Sequence, residues 1–253
     1  MKHILRTIAG ISMLASTSAL ASLIDFETNA AGNTPIDNEL VGLTDVFNVG
    51  SVAISFGFDS NGDGTLDSPA VFEEAGNTDA GGDTGFLASN GRDIAEPGFE
   101  TDLGRFFLRQ QMPYLPFGTF VITYSSLDIV TAASGEIWDI DGKINKTEQF
   151  TVKAYNGSSL LQTIVSPTGT DLTLDGQPWT FGFTGLPNLT KIEISFTGTK
   201  TNGIGLAFNN FSPVTSLAPT TNVSEPFGLW LLTAPLLIIL ARKLLRRKGT
   251  SNE

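Results

Sequence analysis

Residues 59–67 are the strongest candidate for chemistry in this sequence, because their oxygen-bearing side chains are spaced like the ligands of a calcium-binding loop. Oxygen side chains occupy positions 1, 3, 5 and 9 of the run, a glycine occupies position 6, and a backbone carbonyl is expected at position 7. Ca²⁺ is a hard cation that needs several converging oxygen atoms, and the glycine permits a sharp turn. The predicted calcium ligands are Asp59, Asn61, Asp63, Thr65 and Asp67.

The end of the same run departs from an EF-hand, which leaves a second interpretation open. Position 12 is Ala70 instead of a glutamate, and the run follows a strand-like segment instead of a helix. Glu73 or Glu74 could supply the missing carboxylate. The alternative is a polar Asp-Gly turn that binds no metal.

Asp139 and Asp141 form a second candidate cation site. Residues two apart on a β-strand point to the same face, so the two carboxylates would lie side by side, and Glu148 could approach them from the next strand. Two like charges on one side suggest a bound cation or a hydrogen-bonded turn. A strand end that faces solvent explains the pair equally well.

Two tryptophans, Trp138 and Trp179, are candidates for stacking on a sugar ring. An exposed aromatic ring offers a flat apolar surface to the carbon–hydrogen face of a sugar. The alternative is packing in the core or at a sheet edge, which is the commoner use of large aromatic residues.

The residue types missing from the sequence exclude several kinds of active site. The chain has no cysteine, and its one histidine, His3, lies in a predicted leader. A body without either residue excludes cysteine nucleophiles, Ser-His-Asp triads and histidine-ligated zinc. A glycosidase would still be possible with two carboxylates across a cleft, but the sequence does not show their separation. We therefore predict no catalytic residues and a protein that is not an enzyme.

The charge of the body is strongly acidic. Seven of the 15 basic residues lie in the two ends, which leaves eight in the body, together with 24 of the 26 acidic residues. Eight positive charges against 24 negative ones give a body of net charge near −16. Such a polyanion repels a nucleic-acid backbone, so no nucleic-acid partner is expected. The charge suits solubility or the binding of divalent cations.

Short alternating runs predict that the body folds as β-strands. Thr151, Lys153 and Tyr155 are expected to point outward, opposite apolar neighbours, and Lys191, Glu193 and Ser195 show the same pattern. The apolar members of the runs are Val52, Ile54, Phe56, Phe58, Phe120, Ile122, Tyr124, Phe150, Val152, Ala154, Ile192, Ile194, Phe196, Ile204, Leu206 and Phe208. We predict an all-β fold, a β-sandwich or jelly roll, over residues 22–212, followed by a spacer rich in Pro, Ser and Thr over residues 213–222.

The first 21 residues have the features of a secretory signal peptide. Lys2 and Arg6 form a basic beginning, an apolar stretch follows, and Ala19-Leu20-Ala21 is a small-x-small cleavage site. The sequence therefore predicts an exported protein.

An uncharged run near the other end predicts one transmembrane helix. Residues 227–241 are uncharged, and extension to residue 245 gives a length of about 28 Å, close to the roughly 30 Å of a bilayer core. The basic residues that would hold the end of this helix in the cytoplasm are Arg242, Lys243, Arg246, Arg247 and Lys248. The body is then expected outside the cytoplasm, anchored to the membrane.

The segment before this run carries a family resemblance. Val223-Ser224-Glu225-Pro226, the short apolar run and the basic end together resemble the PEP-CTERM sorting signal, spanning residues 223–248, although Ser224 stands where that family usually has proline. The resemblance implies processing by an exosortase-type membrane peptidase, a mature form at the cell surface or outside the cell, and a link to exopolysaccharide and biofilm.

The second half of the body resembles the carbohydrate-binding-like jelly rolls of many PEP-CTERM proteins. The resemblance covers about 80 residues and is carried by four segments, residues 137–142, 150–155, 192–196 and 203–211. That family often ends with an Asp-Asn pair where this chain has Asn209-Asn210.

The function predicted from the sequence is that of a noncatalytic surface or extracellular-matrix protein. The alternative is a carbohydrate-binding module that acts on exopolysaccharide. A third hypothesis is a carboxylate-based glycosidase or lyase.

Overall fold

The β-strands of the body follow the alternating runs of the sequence. The computed structural model describes residues 23–76, 95–112, 117–126, 128–169 and 176–216. The strands within these ranges are β1 (Phe47–Val49), β2 (Val52–Asp59), β3 (Val71–Glu74), β4 (Phe106–Arg109), β5 (Thr119–Ser125), β6 (Ile129–Trp138), β7 (Gly142–Lys143), β8 (Lys146–Thr147), β9 (Phe150–Asn156), β10 (Ser159–Val165), β11 (Pro178–Phe183), β12 (Lys191–Phe196) and β13 (Ala207–Ser216).

Most of these strands form two antiparallel sheets. One sheet has six strands in the order β1-β2-β5-β12-β9-β10, and the other has five strands in the order β11-β6-β13-β4-β3. The remaining strands, β7 and β8, form a short hairpin. The chain crosses between the two large sheets repeatedly, for example from β5 to β6 and from β12 to β13, as expected of a jelly roll.

Aromatic side chains fill the space between the two sheets. Phe208 of β13 is fully buried, and its ring centroid lies 5.0 Å from that of Phe120 and 6.2 Å from that of Phe56, both on the six-stranded sheet. On its own sheet, Phe208 stacks on Phe181 with 6.4 Å between centroids. The prediction of an all-β sandwich is confirmed for the described residues.

The last strand extends further than predicted. A bulge interrupts β13 between Asn209 and Ser212, and pairing with β6 then resumes at Ser212↔Ser134 and continues through Pro213↔Ala133. Pairing ends only at Ser216. Residues 213–216 therefore belong to the sandwich and not to a spacer, because they complete the ladder of a central strand.

The predicted signal peptide and sorting signal lie outside the described residues, which begin at Leu23 and end at Ser216. The transmembrane prediction for residues 227–245 falls there too. Within the described ranges, the structure has no helix of the length and apolar character that crossing a membrane requires.

Candidate functional site

In the loop over residues 59–67, backbone N–H groups donate hydrogen bonds to the carboxylate of the first residue, Asp59. Asp59 is almost completely buried at the end of β2. Its carboxylate accepts hydrogen bonds from the backbone N–H groups of Gly62, Asp63 and Gly64 at 2.6, 3.1 and 2.7 Å. Asp59 therefore holds the turn closed from inside.

The other predicted calcium ligands bind neighbouring groups in the same way. Asn61 accepts a hydrogen bond from the Asp63 N–H group at 2.9 Å. The Asp63 carboxylate accepts bonds from the Thr65 hydroxyl at 2.5 Å and the Thr65 N–H group at 2.9 Å, and these bonds lower the pKa of Asp63. Asp67 accepts a bond from the Ser60 N–H group at 2.8 Å.

These bonds give each of the four side chains a partner within the loop. In the part of the chain that the structure describes, no group of three or more His, Cys, Asp or Glu side chains is arranged to hold a metal ion. Asp59, Asp63 and Asp67 therefore do not form a three-carboxylate cluster in this conformation. Calcium binding stays a prediction, and we derive no function through it.

We expect Asp59→Ala to destabilise the protein by roughly 2–4 kcal/mol, because three backbone donors lose a buried, charged acceptor. Asp63→Ala is the matched control in the same loop, and it should lower the free energy of unfolding by less, because Asp63 is exposed. Urea unfolding of both variants measures the difference, and equal losses would contradict the structural role of Asp59.

Unfolding curves of the unchanged protein in millimolar Ca²⁺ and in EDTA test whether the loop binds calcium. Binding to the folded state alone raises the free energy of unfolding, so identical curves would contradict the calcium prediction.

The pair Asp139 and Asp141 does not form the predicted cation site. The φ of Asp139 is 61°, which breaks the strand alternation, and its carboxylate accepts a hydrogen bond from the Gly176 N–H group at 3.1 Å. Asp141 instead forms an ion pair with Lys200, whose ammonium also donates to Glu148 at 2.7 Å. The cation that contacts Asp141 and Glu148 is therefore the ammonium group of Lys200.

Glu148 is the buried member of this cluster. Only 2% of Glu148 is exposed, and one of its carboxylate oxygens, Oε2, has no hydrogen-bond partner among the described residues. Burial raises the pKa of Glu148 to about 8, against the hydrogen bond and charge of Lys200, which lower it. Burial acts to lower the pKa of Lys200, but its bonds to Asp141 and Glu148 outweigh burial and raise it. Lys200 thus stays charged beside Asp141, and Glu148 is the group that takes up a proton.

The two tryptophans occupy different environments. Trp138 is fully buried, with its ring at right angles to that of Phe99 and its indole N–H donating to Glu136 at 3.2 Å. The prediction that Trp138 stacks on a sugar is therefore wrong, because its ring has no face open to a ligand. Trp179 is half-buried and packs against Phe181 at 6.1 Å between centroids, so core packing accounts for much of its surface.

A continuous polar surface lies on the outer side of β9 and β12. These strands place their apolar residues in the core, so the alternate residues face away from the five-stranded sheet. The register sets Lys191 directly opposite Tyr155, Glu193 opposite Lys153, and Ser195 opposite Thr151. We call this surface the polar face, defined by Thr151, Lys153, Tyr155, Lys191, Glu193 and Ser195.

Three side chains of the polar face contact one another. The Lys191 ammonium lies 4.9 Å from the centroid of the Tyr155 ring and 2.7 Å from the Glu193 carboxylate. Burial raises the pKa of Tyr155 to about 12, helped by the hydrogen bond and the negative charge of Glu193. The phenol therefore stays protonated, and the trio presents donors, acceptors and an aromatic ring within one small area.

The loop after β2 borders the polar face. Leu66 lies against Gly57, 3.3 Å from the position that a Cβ would take, and Val121 on the neighbouring strand is completely buried beneath this side. Gly64 lies beside the Lys191 ammonium, with 3.6 Å between that ammonium and the corresponding Cβ position. The loop thus forms a wall along one side of a flat, polar floor.

The alternating runs predict which residues of the polar face point outward, but not that they meet. Tyr155 and Lys191 are far apart in the chain, and only the pairing of β9 with β12 places them together. Lys200 is also not a candidate from the alternating pattern, because it lies after the end of β12 at Phe196. The one feature of the sequence that could have drawn attention to Lys200 is its positive charge, because the body has only eight basic residues.

Comparison with known proteins gives only distant structural similarities. No protein-family model and no curated protein matches the chain. Among solved structures, the chain is similar to a glycoside hydrolase family 43 arabinoxylan arabinofuranohydrolase from Bacillus subtilis, at 11% identity and a TM-score of 0.32. The match covers 77% of this chain and 33% of that one, so this chain spans about a third of the length of that enzyme.

Two further similar structures are family 11 carbohydrate-binding modules from Clostridium thermocellum. The module of the cellulosomal cellulase Lic26A-Cel5E matches at 9% identity with a TM-score of 0.27, covering 81% of this chain and 99% of the module. The module in complex with a β-1,3-1,4-mixed-linked tetrasaccharide matches at 10% identity with a TM-score of 0.26, covering 73% and 99%. At these values we draw no conclusion from the likeness.

Proposed function

We propose that this protein is a noncatalytic component of the cell surface or extracellular matrix and that its β-sandwich binds polysaccharide on the polar face. The observation that carries the proposal is the contact of Tyr155, Lys191 and Glu193 on the outer side of the sheet, where all three remain partly exposed. A sugar offers hydroxyl groups that donate and accept hydrogen bonds, together with an apolar carbon–hydrogen face. The trio supplies a partner for each of these features.

The charge of the polar face suits a sugar chain better than a small ion. Lys191 and Glu193 neutralise each other, and Lys153 lies opposite Glu193. Lys191 and Glu193 thus have partners of opposite charge. Both side chains remain about a fifth exposed, so each can still form a hydrogen bond with a hydroxyl group of a sugar. Charge-assisted hydrogen bonds to neutral hydroxyls do not require a ligand of opposite charge.

The buried carboxylates support a noncatalytic role. Glu73 pairs with Arg109, Glu148 with Lys200, and Asp59 binds the backbone of its own loop. Each of these groups serves a partner within the fold. A glycosidase requires two carboxylates that face a common cleft, and these three are committed elsewhere.

Export and processing complete the proposal. The predicted signal peptide, transmembrane helix and PEP-CTERM-like signal would send the body across the membrane and anchor it until an exosortase-type peptidase cleaves near residues 223–226. Intact mass of the secreted form tests this step. We expect a chain that lacks residues 227–253, and a secreted chain that retains them would refute cleavage at the motif.

Replacing Tyr155 with alanine is expected to weaken polysaccharide binding by about tenfold or more, because the ring and its hydroxyl are lost together. Tyr155→Phe keeps the ring and removes one hydrogen bond, so its loss should be about threefold. Titration of the full chain with the polysaccharide that it binds measures both.

Thr180→Ala is the surface control for these variants, since Thr180 is exposed on β11 of the other sheet. Its affinity should match that of the unchanged protein. Melting temperatures identify any variant that fails to fold. If Tyr155→Ala binds the polysaccharide as tightly as Thr180→Ala does, the polar face is not the binding site.

A further inference from the structure

Strand β10 is an open edge of the six-stranded sheet. It pairs with β9 on one side, and on its other side no described strand pairs with it. The Ser166 N–H group donates to the Phe150 carbonyl at 2.9 Å, and hydrogen-bonded positions alternate along an antiparallel pair. The backbone N–H and C=O groups of Thr163 and Val165 therefore point away from β9, along the free edge.

The other sheet edges in the described part of the chain are protected in ways that β10 is not. β1 has three residues, β3 carries two glutamates and is bridged by Leu40, and β11 begins with a proline. Strand β10 has seven residues, with no charge and no proline. Its one irregularity, a bulge between Leu160 and Gln162, leaves the rest of the strand regular.

Two apolar side chains of β10 are also exposed. Leu160 is 54% exposed and Val165 is 50% exposed. Proteins usually protect such an edge with lysine, proline or a covering loop, because unpaired backbone groups invite another strand. An unprotected edge of this length thus marks a place where a strand can add.

We propose that the strand that adds is β10 of a second copy of this chain, running antiparallel, so that two sandwiches share one continuous sheet. Two identical antiparallel strands are self-complementary about a two-fold axis, which satisfies the free groups of Thr163 and Val165 on both copies. Two bodies with a net charge near −16 repel each other, and the uncharged β10 is a part of the surface where that repulsion is small.

This proposal does not rest on polysaccharide binding, since it uses the edge of the sheet and not the polar face. The contact is smaller than the roughly 1,000 Å² of a stable interface, so we expect weak association that rises with protein concentration. Salt should strengthen it, because screening reduces the repulsion between the two bodies.

The absence of cysteine from the sequence permits a direct test. Thr163→Cys in the otherwise unchanged full chain places one thiol of each copy at the proposed contact, on diagonal positions about 7–8 Å apart, so a short bis-maleimide reagent should yield a cross-linked dimer. Thr180→Cys, on an exposed edge strand of the other sheet, is the matched control. We expect at least about fivefold more dimer from Thr163→Cys at equal concentration.

A second change separates this edge from other routes to association. Val165→Pro in the Thr163→Cys chain removes an outward N–H group without removing a bond to β9, and Val165→Lys adds a charge that opposes pairing. Either change should reduce the dimer to the level of the Thr180→Cys control, with the melting temperature confirming that the chain is folded. Equal dimer from Thr163→Cys and Thr180→Cys, or dimer that survives both changes at Val165, would overturn the proposal.

Discussion

Replacing Lys200 with methionine should destabilise the protein by about 2 kcal/mol at pH 9 and by about 1 kcal/mol or less at pH 5. Lys200 lies between Asp141 and the buried Glu148. At pH 9 Glu148 is largely ionised beside Lys200, and without this cation the buried carboxyl group takes up a proton, so the stability gained from ionisation is lost. At pH 5 Glu148 is protonated, so only the partly exposed pair with Asp141 is lost.

The pH dependence follows from the direction of the Glu148 shift. Its pKa in the folded protein is about 8, above the ordinary value of 4.5. The folded state therefore holds the proton more tightly, and the stability that this group contributes is complete below about pH 4.5 and is lost as the pH rises through about 8. Glu148→Gln, which cannot ionise, should flatten this part of the stability profile.

Urea unfolding at a series of pH values measures these differences. Lys143→Met is a suitable control, because Lys143 is exposed on the neighbouring β7 and its loss should have little effect at either pH. A Lys200→Met loss that is equal at pH 5 and pH 9 would contradict the assignment of Glu148 as the titrating group.

Arg109→Met is expected to destabilise the protein by about 3–5 kcal/mol. Arg109 is 4% exposed, and its guanidinium pairs with Glu73, which is 1% exposed. It also donates to the Gln110 carbonyl at 2.7 Å and to the Asn38 side chain at 2.5 Å. The change leaves a buried carboxylate without its cation and removes the link between the sheet and the segment that contains Asn38.

A double variant separates the value of the pair from the cost of an uncompensated charge. Arg109→Met combined with Glu73→Leu removes both charges, and the combination should recover most of the stability lost by Arg109→Met alone. Urea unfolding of the single and double variants gives the comparison. Additive losses from the two changes would show that Arg109 and Glu73 do not depend on each other.

The sequence predicts the strands well because the rule behind them is local. Ile192 and Ile194 alternate with Lys191 and Glu193, and the period of two places one pair in the core and the other outside. The wrong boundary, at Pro213, has a physical reason. Pro, Ser and Thr are typical of spacers, but here Pro213 pairs with Ala133 after a bulge that the composition does not reveal.

The candidate sites are less predictable because they depend on contacts between distant parts of the chain. Trp138 is buried by strands on both sides, with Pro178 and Ala207 as its partners in the ladders. Asp139 leaves the strand alternation through a positive φ, so Asp141 finds Lys200 instead. The sequence does not show such pairings, and it identifies the residue types without identifying their neighbours.

Affinity electrophoresis of the full chain through gels that contain neutral or acidic polysaccharides tests the proposed function most directly. We predict that at least one polysaccharide slows the unchanged protein, that Tyr155→Ala migrates as it does in a gel without polysaccharide, and that the polysaccharide keeps its length. An unchanged protein that migrates freely through every gel, or equal retardation of Tyr155→Ala, would contradict polysaccharide binding on the polar face. Shortening of the polysaccharide would contradict the noncatalytic role.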